Sequence, residues 1–289
     1  MSLRKTIARI ARQEDVNFLL TNRIPRLALT RFMGRFSRIE HPVVRNASIA
    51  LWRFFCDVDL TDGAKIRYDS LHDAFVRRLR PGARTVDGDA DVITAPCDAI
   101  VGAFGRIEAG QAYQIKGFPY TIADLLGDPA AADEFRDGCY VTLRLTAGMY
   151  HRFHAPHDLV VEQVRYISGD TWNVNPIALR RIERLFCKNE RAPITARLKR
   201  DGRRIVLVPV AAVLVASIRL PFLDPHRNVR ARGGGPTPCC AAFAKGDEMG
   251  WFEHGSTIVL IAPGDYAPVA GLADGQVLAM GMPLLRSLV

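Results

Sequence analysis

Residues Ile205–Ile218 read IVLVPVAAVLVASI, 14 uncharged residues with Pro209 inside the run. How this stretch is read decides the architecture. A helix crossing a bilayer needs about 20 apolar residues, and an interior proline removes a helical hydrogen bond and clashes with the preceding turn. The run is therefore expected to form a pair of buried strands. The sequence around it has the same texture. From Asp91 onward, short apolar runs (DVITAP, AIVGAFGRIEAG, CYVTLRL, VVEQVRYI, PITARL, STIVLIAPG, QVLAMG) are separated by Gly, Pro and Asp. Such spacing predicts a mostly antiparallel β domain. Two short helices, TIADLLGD and PIALRRIERLF, interrupt it, and the Gly-, Pro- and Arg-rich segment Asp224–Cys240 is expected to be an exposed loop.

Upstream the texture is helical. Pro25 suits a first helical position. Leu29, Phe32, Met33, Phe36 and Ile39 then share one arc, with Arg31, Arg35 and Arg38 beside it. Two readings stand open: a helix lying in a membrane interface, or a helix packed on its own domain with a solvated basic face. HPVVRNASIALWRFF continues as helix. SLHDAFVRRLRPGAR predicts another, with Ser70 as N-cap and Pro81-Gly82 as the stop. The expected fold class is α+β, with a helical, basic segment over 1–85 and a β-rich domain over 86–289.

Charge follows this division. The chain has 39 Lys+Arg against 30 Asp+Glu, a net +9, and residues 1–40 alone carry a net +6. Such a balance points to an anionic partner, and the 48% hydrophobic content excludes a disordered chain. No RNA-binding aromatic motif is evident, so nucleic acid is not expected. The N-terminal stretch MSLRKTIARIARQED has no apolar core of a secretory signal. Cys56, Cys97, Cys139, Cys187, Cys239 and Cys240 show no CxxC spacing, which fits reduced thiols in the cytosol.

Reactive side chains concentrate in three places: Tyr150–Asp158 with His151, His154 and His157, then Glu253–Thr257, then Ala95–Asp98. The histidines admit a metal reading, a purely structural one and an acid–base one. Pro156 works against a helix that would align all three on a metal, and no metal is expected. In the acid–base reading Asp98, His154 and Ser256 follow in the order Asp, His, Ser, one of several orders known for triads. Gly255 before Ser256 leaves an unhindered carbonyl carbon. A serine hydroxyl can attack that carbonyl, given a base.

Taken together, these motifs resemble the phosphatidylserine decarboxylase family of pyruvoyl enzymes. Lys245-Gly246-Asp247-Glu248-Met249-Gly250-Trp251-Phe252-Glu253-His254-Gly255-Ser256-Thr257 is similar to the family's KGxEMGxFxxGST cleavage motif. Tyr150–Pro156 matches YHRxHxP, and Ala95-Pro96-Cys97-Asp98 resembles SPxDG. Phe75–Arg84, Lys116–Tyr120, Val174-Asn175-Pro176 and Asn189-Glu190-Arg191 follow in family order, from about residue 65 to the C-terminus. Ala95, Ala99 and His254 depart from the usual residues.

The resemblance implies autocatalytic cleavage at Gly255-Ser256 into a β chain, 1–255, and an α chain, 256–289, which stay together as a heterodimer. It implies a covalent pyruvoyl group derived from Ser256, and catalytic roles for Asp98, His151, His154 and Ser256. In that scheme His154, oriented by Asp98, activates Ser256, and His151 protonates the carbanion after carbon dioxide leaves. The implied reaction converts phosphatidylserine to phosphatidylethanolamine in phospholipid biosynthesis. The partner is then an anionic membrane, with Leu29, Phe32, Met33, Phe36, Arg31 and Arg35 as contacts and a peripheral location on the cytoplasmic side of the cell membrane. Two alternatives remain at this point: a pyruvoyl decarboxylase acting on another serine-like substrate, or an uncleaved lipid-binding homologue.

Overall fold

The computed structural model describes residues 13–22, 25–115, 118–213, 218–253 and 256–289. Among the sequence expectations, the first twelve residues, Arg23, Lys116-Gly117, His254 and Gly255 lie outside the described residues.

Helices come first: α1 (Glu14–Asn22), α2 (Arg26–Phe36), α3 (Pro42–Cys56) and α4 (Leu71–Phe75). Then follow β1 (Val92–Thr94), β2 (Ala99–Arg106), the hairpin β3 (Gln111–Ile115) and β4 (Phe118–Thr121), and the short helices α5 (Ile122–Leu126) and α6 (Pro129–Asp133). Next are β5 (Cys139–Leu145), β6 (Arg152–His154), β7 (Leu159–Tyr166), α7 (Pro176–Arg181), α8 (Leu185–Lys188), β8 (Ile194–Leu198), β9 (Arg204–Ala211) and β10 (Ile218–Arg219). The chain ends with β11 (Gly235–Phe243), β12 (Glu248–Phe252), β13 (Ser256–Ala262), β14 (Tyr266–Pro268), β15 (Val277–Leu278) and β16 (Pro283–Ser287).

The class is α+β, and every named strand pairing is antiparallel. The main sheet has eight strands in the order β11-β7-β8-β9-β13-β5-β2-β15. β13 lies between β5 and β9, and all seven of its residues are buried. A strand covered on both faces needs apolar residues at successive positions, which is why STIVLIA does not alternate. β9 has the same character, and Pro209 fits within it. On one side Pro209 is paired with Ile258; on the other its carbonyl accepts from Ala192 N at 3.0 Å, beyond the last β8–β9 rung at Ile194↔Leu207. The missing N–H therefore costs no rung of that ladder. Ile205–Ile218 thus holds strand β9 and the start of β10, and among the described residues no helix is long and apolar enough to cross a membrane.

Two local expectations need correction. Asp224–Cys240 is not all loop. It contains a 3-10 turn at Val229–Arg232, and from Gly235 it is strand β11, paired with β7. β11 is an edge strand of the sheet, where Pro236 and Pro238 are tolerated. The helix capped by Ser70 is also shorter than expected. Ser70 Oγ does accept from Asp73 N at 3.1 Å, but α4 stops at Phe75. Arg152 donates to the carbonyls of Val76 and Arg77 at 2.9 and 3.1 Å, and Ala64 N donates to Arg78 O at 2.8 Å. Those carbonyls are taken by distant donors, so the helix does not propagate.

Several polar contacts attach the N-terminal helices to the sheet region. Arg181 pairs with Asp15 at 2.8 Å, and Asn173 N donates to Asn22 Oδ1 at 3.1 Å. Arg26 pairs with Asp170 at 2.7 Å and lies 3.6 Å over the Trp172 ring. Trp52 Nε1 donates to Ala147 O at 3.0 Å. α3 ends at Asp57 in the left-handed region (φ 47°), against Gly148, where an added Cβ would lie 2.2 Å from Cys56 O.

Candidate active site

Ser256 is the first residue of β13, held between Leu145 on β5 and Ala211 on β9. It is 1% exposed, and its Oγ has no hydrogen-bond partner among the described residues. A buried hydroxyl without a partner is costly and calls for a reason. Ser256 lines a cavity of about 450 Å³. Met33 and Trp52 from the helical region form one side, and Leu145 and Asn173 from the sheet region another.

The YHRFH segment positions the histidines by strand periodicity. Along an extended chain Tyr150, Arg152 and His154 share one face, while His151 and Phe153 share the other. β6 is anchored on β12 by Glu248↔His154 and Trp251↔Arg152, and Arg152 donates to Glu248 at 2.6 Å. His154 Nδ1 is 2.8 Å from Gly246 O, so Nδ1 bears the proton, and Nε2 accepts from the Tyr150 hydroxyl at 2.9 Å. Burial pushes the His154 pKa below the ordinary histidine value, opposed by the Gly246 carbonyl and by the charges of Glu248 and Asp98. Burial likewise pushes the Tyr150 phenol up.

Asp98 follows β1 and is held by three donors. Arg84 donates from Nε to Oδ1 at 2.9 Å and from Nη2 to Oδ2 at 2.5 Å, and Met280 N donates to Oδ1 at 2.8 Å. Arg84 also reaches Asp62 at 2.8 Å, and its pKa is raised chiefly by the Asp98 hydrogen bond. Among the described residues no hydrogen bond joins Asp98 to His154, or His154 to Ser256. Asp98 acts on His154 through its charge alone in this state.

His151 is fully buried. Its Nδ1 is 2.8 Å from Met149 O, which places the proton there, and its ring lies 4.0 Å from that of Phe75, a cavity-wall residue. His157 turns elsewhere, with Nε2 2.9 Å from Ala90 O. The three histidines thus serve three different partners and do not converge on one point.

Several residues of the site had no role assigned from sequence. Tyr150 could have been found, because it lies four residues from His154 on the same strand face. Arg84 ends the Phe75–Arg84 motif, but nothing local pointed to Asp98 as its partner. Glu253, two residues before the Gly255-Ser256 bond, is buried and receives Arg38 at 2.8 Å and Arg219 at 3.1 Å, with His72 Nε2 at 4.0 Å. Burial, then the charge of Arg38, pushes the His72 pKa down to about 4.

The arc on α2 divides. Phe32, Arg31 and Arg35 are exposed, Leu29 and Phe36 are half-buried, and Met33 faces the cavity. Ile39 is also exposed. The exposed apolar surface continues onto α3 through Val43, Leu51, Phe54 and Phe55.

A buried, unpartnered serine hydroxyl opens a central strand in the wall of a cavity, and two buried histidines with defined tautomers lie on the segment 150–154. Comparison with known proteins specifies the site further. Residues 71–286 match the phosphatidylserine decarboxylase family model, and the chain belongs to that family. It is 35% identical over 270 residues to a phosphatidylserine decarboxylase proenzyme of Anaeromyxobacter sp. (strain K), covering 90% of this chain and 94% of the relative. The proenzyme of Vibrio vulnificus (strain YJ016) is 34% identical over 272 residues, with the same coverage. That of Erwinia tasmaniensis is 32% identical over 281 residues, covering 93% of each chain.

Proposed function

We propose that this chain is a proenzyme that cleaves itself between Gly255 and Ser256 and then decarboxylates phosphatidylserine to phosphatidylethanolamine at a membrane surface. The observation that carries the reading is the Ser256 hydroxyl, buried without a partner in the wall of a cavity.

In maturation Ser256 Oγ attacks the Gly255 carbonyl carbon and loses its proton to a base. The Gly255–Ser256 amide becomes an ester, with the Ser256 nitrogen released as an amine. Removal of the Ser256 α-proton then breaks the Cβ–O bond, frees the Gly255 carboxylate and leaves dehydroalanine. Water converts that residue to ammonia and an N-terminal pyruvoyl group. His154 is the base in this reading. Its Nδ1 proton is committed to Gly246 O, so Nε2 is the accepting atom once Tyr150 yields it. Asp98, fixed by Arg84, contributes negative charge that favours the protonated imidazole.

Residue 256 fits a pyruvoyl group, because its side chain lines open volume with no side-chain hydrogen bond to break. When bound, such a group supplies an electron sink for the carbanion left as carbon dioxide departs. His151, with Nδ1 held by Met149 O, would deliver a proton to that carbon from Nε2 in its protonated form, taking that proton up from solvent, and revert to the neutral ring with Nδ1–H. The cavity walls from α2 and α3 exclude water and accept apolar lipid.

Phe32, Val43, Leu51, Phe54 and Phe55, with Arg31 and Arg35 nearby in sequence, would insert into the interface of an anionic bilayer on the cytoplasmic side. The helical segment over 1–85 is then the membrane-associating part, and 86–289 the catalytic part. The two products, 1–255 and 256–289, would remain a heterodimer, because β13 is locked between β5 and β9.

The test is intact mass under denaturing conditions together with assay of phosphatidylethanolamine. Wild type should give two chains, the smaller of 34 residues with no free N-terminal amine. Ser256→Ala should stay at 32.0 kDa and form no product. A folded wild type that stays intact and releases no carbon dioxide from phosphatidylserine overturns the reading.

A further inference from the structure

Arg144 lies on β5, in register with Thr257 on β13 and Ile100 on β2. Its side chain lines the Ser256 cavity and also a larger trough of about 800 Å³ on the sheet, so it stands where the two meet. Among the described residues its guanidinium takes part in no hydrogen bond or salt bridge. Other arginines of the sheet are paired: Arg197 and Arg204 share Glu162 at 2.6 and 2.7 Å, and Arg165 holds Asp128 at 2.7 Å. The acid whose charge acts on Arg144 is Asp274 of the trough wall, and no ion pair closes between them. The Thr257 hydroxyl, across the strand pair, is also buried without a partner among the described residues. A half-buried guanidinium that closes no ion pair is costly unless a ligand supplies the anion.

We propose that Arg144 anchors the phosphodiester of the lipid head group while its serine portion meets residue 256. This rests on the decarboxylase reading above. The substrate carries two anions, and the chemistry separates them. A cation paired with the departing carboxylate would stabilise the ground state and oppose loss of carbon dioxide. The phosphodiester keeps its charge throughout, and it lies only a few bonds from the serine amine. A planar guanidinium suits its two unesterified oxygens. Arg144 and Ser256 line the same cavity, so a head group bound there can meet both across those few bonds. Arg144 is thus a determinant of head-group specificity, and it touches substrate away from the reacting carbon.

Binding without turnover is measured by calorimetry in the full-length Ser256→Ala chain, with dihexanoyl-phosphatidylserine as one probe and O-decanoyl-serine, which has no phosphate, as the other. In processed enzyme the same two compounds give KM and kcat. Arg144→Gln should weaken the phospholipid by about tenfold to a hundredfold, in affinity or KM, and leave kcat and the O-acyl serine nearly unchanged. Arg144→Lys keeps the charge without the fork and should lose about threefold on the phospholipid alone; it carries the test if the Gln variant does not fold. Unchanged phospholipid binding, or equal losses on both probes, overturns the proposal. Failure of wild type to self-cleave would instead sink the decarboxylase reading, which the mass measurement detects separately.

Discussion

β13 and α3 treat apolar side chains in opposite ways. Every residue of β13 is buried. In α3, 15 residues long, the one buried residue is Arg45, while Val43 is 69% exposed, Leu51 59% and Phe54 45%. Burial of apolar area stabilises the strand, at about 25 cal/mol per Å². Less of that term holds α3, where Val43, Leu51, Phe54 and Phe55 face outward and Trp52 and Cys56 line the cavity. The difference teaches that the apolar residues of the central strand are buried within this chain, whereas several on the helical surface stay exposed, as the proposed membrane role requires. The cavity at Ser256 takes walls from both regions, so the comparison bears on function as well as stability.

The comparison can be sharpened first at the chemistry. His154→Ala should slow self-cleavage by about a hundredfold or more, the usual scale for loss of a positioned base. The helices should stay bound to vesicles, because their exposed surface is untouched. A mass time course and vesicle flotation check the two halves. Rapid cleavage in this variant would remove His154 from the role of base.

Deleting residues 1–40 attacks the other side. It removes a net +6 of charge, Met33 from the cavity wall and Arg38 from Glu253. Turnover of vesicle-bound phosphatidylserine should fall by more than about tenfold, since each basic residue near an anionic surface contributes roughly 1 kcal/mol. The residues assigned to cleavage all lie at 98 and beyond, so self-cleavage should persist, slowed by the loss of the Arg38–Glu253 pair. Vesicle turnover equal to wild type would make the helices a structural brace only.

A smaller change isolates the exposed surface. Phe54→Ser with Phe55→Ser should weaken vesicle binding by about tenfold or more, as expected for losing two partly inserted rings. Thermal stability in solution should stay nearly constant, because both rings are half-exposed in the free protein. A large drop in Tm would show that they pack within the chain.

The mildest effects are with pH. Burial lowers the His154 pKa, so its neutral, basic form persists below the ordinary histidine value of about 6.5. The midpoint of the self-cleavage rate should accordingly lie below that pH. His72 is pushed down to about 4, so the folded state binds its proton less well than the unfolded chain. Its contribution to stability is therefore present above about 6.5 and lost as pH falls toward 4. His72→Gln should show a smaller fall in Tm between pH 7 and 5 than wild type. An equal fall would place the acid sensitivity elsewhere.

Much of this was legible in the residues. The apolar runs bounded by Gly, Pro and Asp marked β5, β8, β9 and β13, because each strand is short and its limits are local. The segment before Cys240 misled because Pro and Gly usually signal loops, and only the sheet order shows that β11 is an edge where proline costs nothing. α4 misled because its stop comes from Arg152, 76 residues from Val76 in sequence. The motifs singled out Asp98, His151, His154 and Ser256 as candidates, while the Tyr150–His154 and Arg84–Asp98 pairings had no local pattern.

The sequence by itself determined the family, the buried strand that begins at Ser256 and the basic, amphipathic character of the N-terminal helices. Each of these rests on short-range order: which residue types recur at which spacing. Only the tertiary structure decided which partner each charged or titratable group holds, which histidine nitrogen carries its proton, and that one cavity joins Met33 and Trp52 to Ser256. The contacts that settle these points join distant residues, as from Met280 to Asp98 or from Arg38 to Glu253. Such pairings depend on how the elements pack, and no local pattern encodes them.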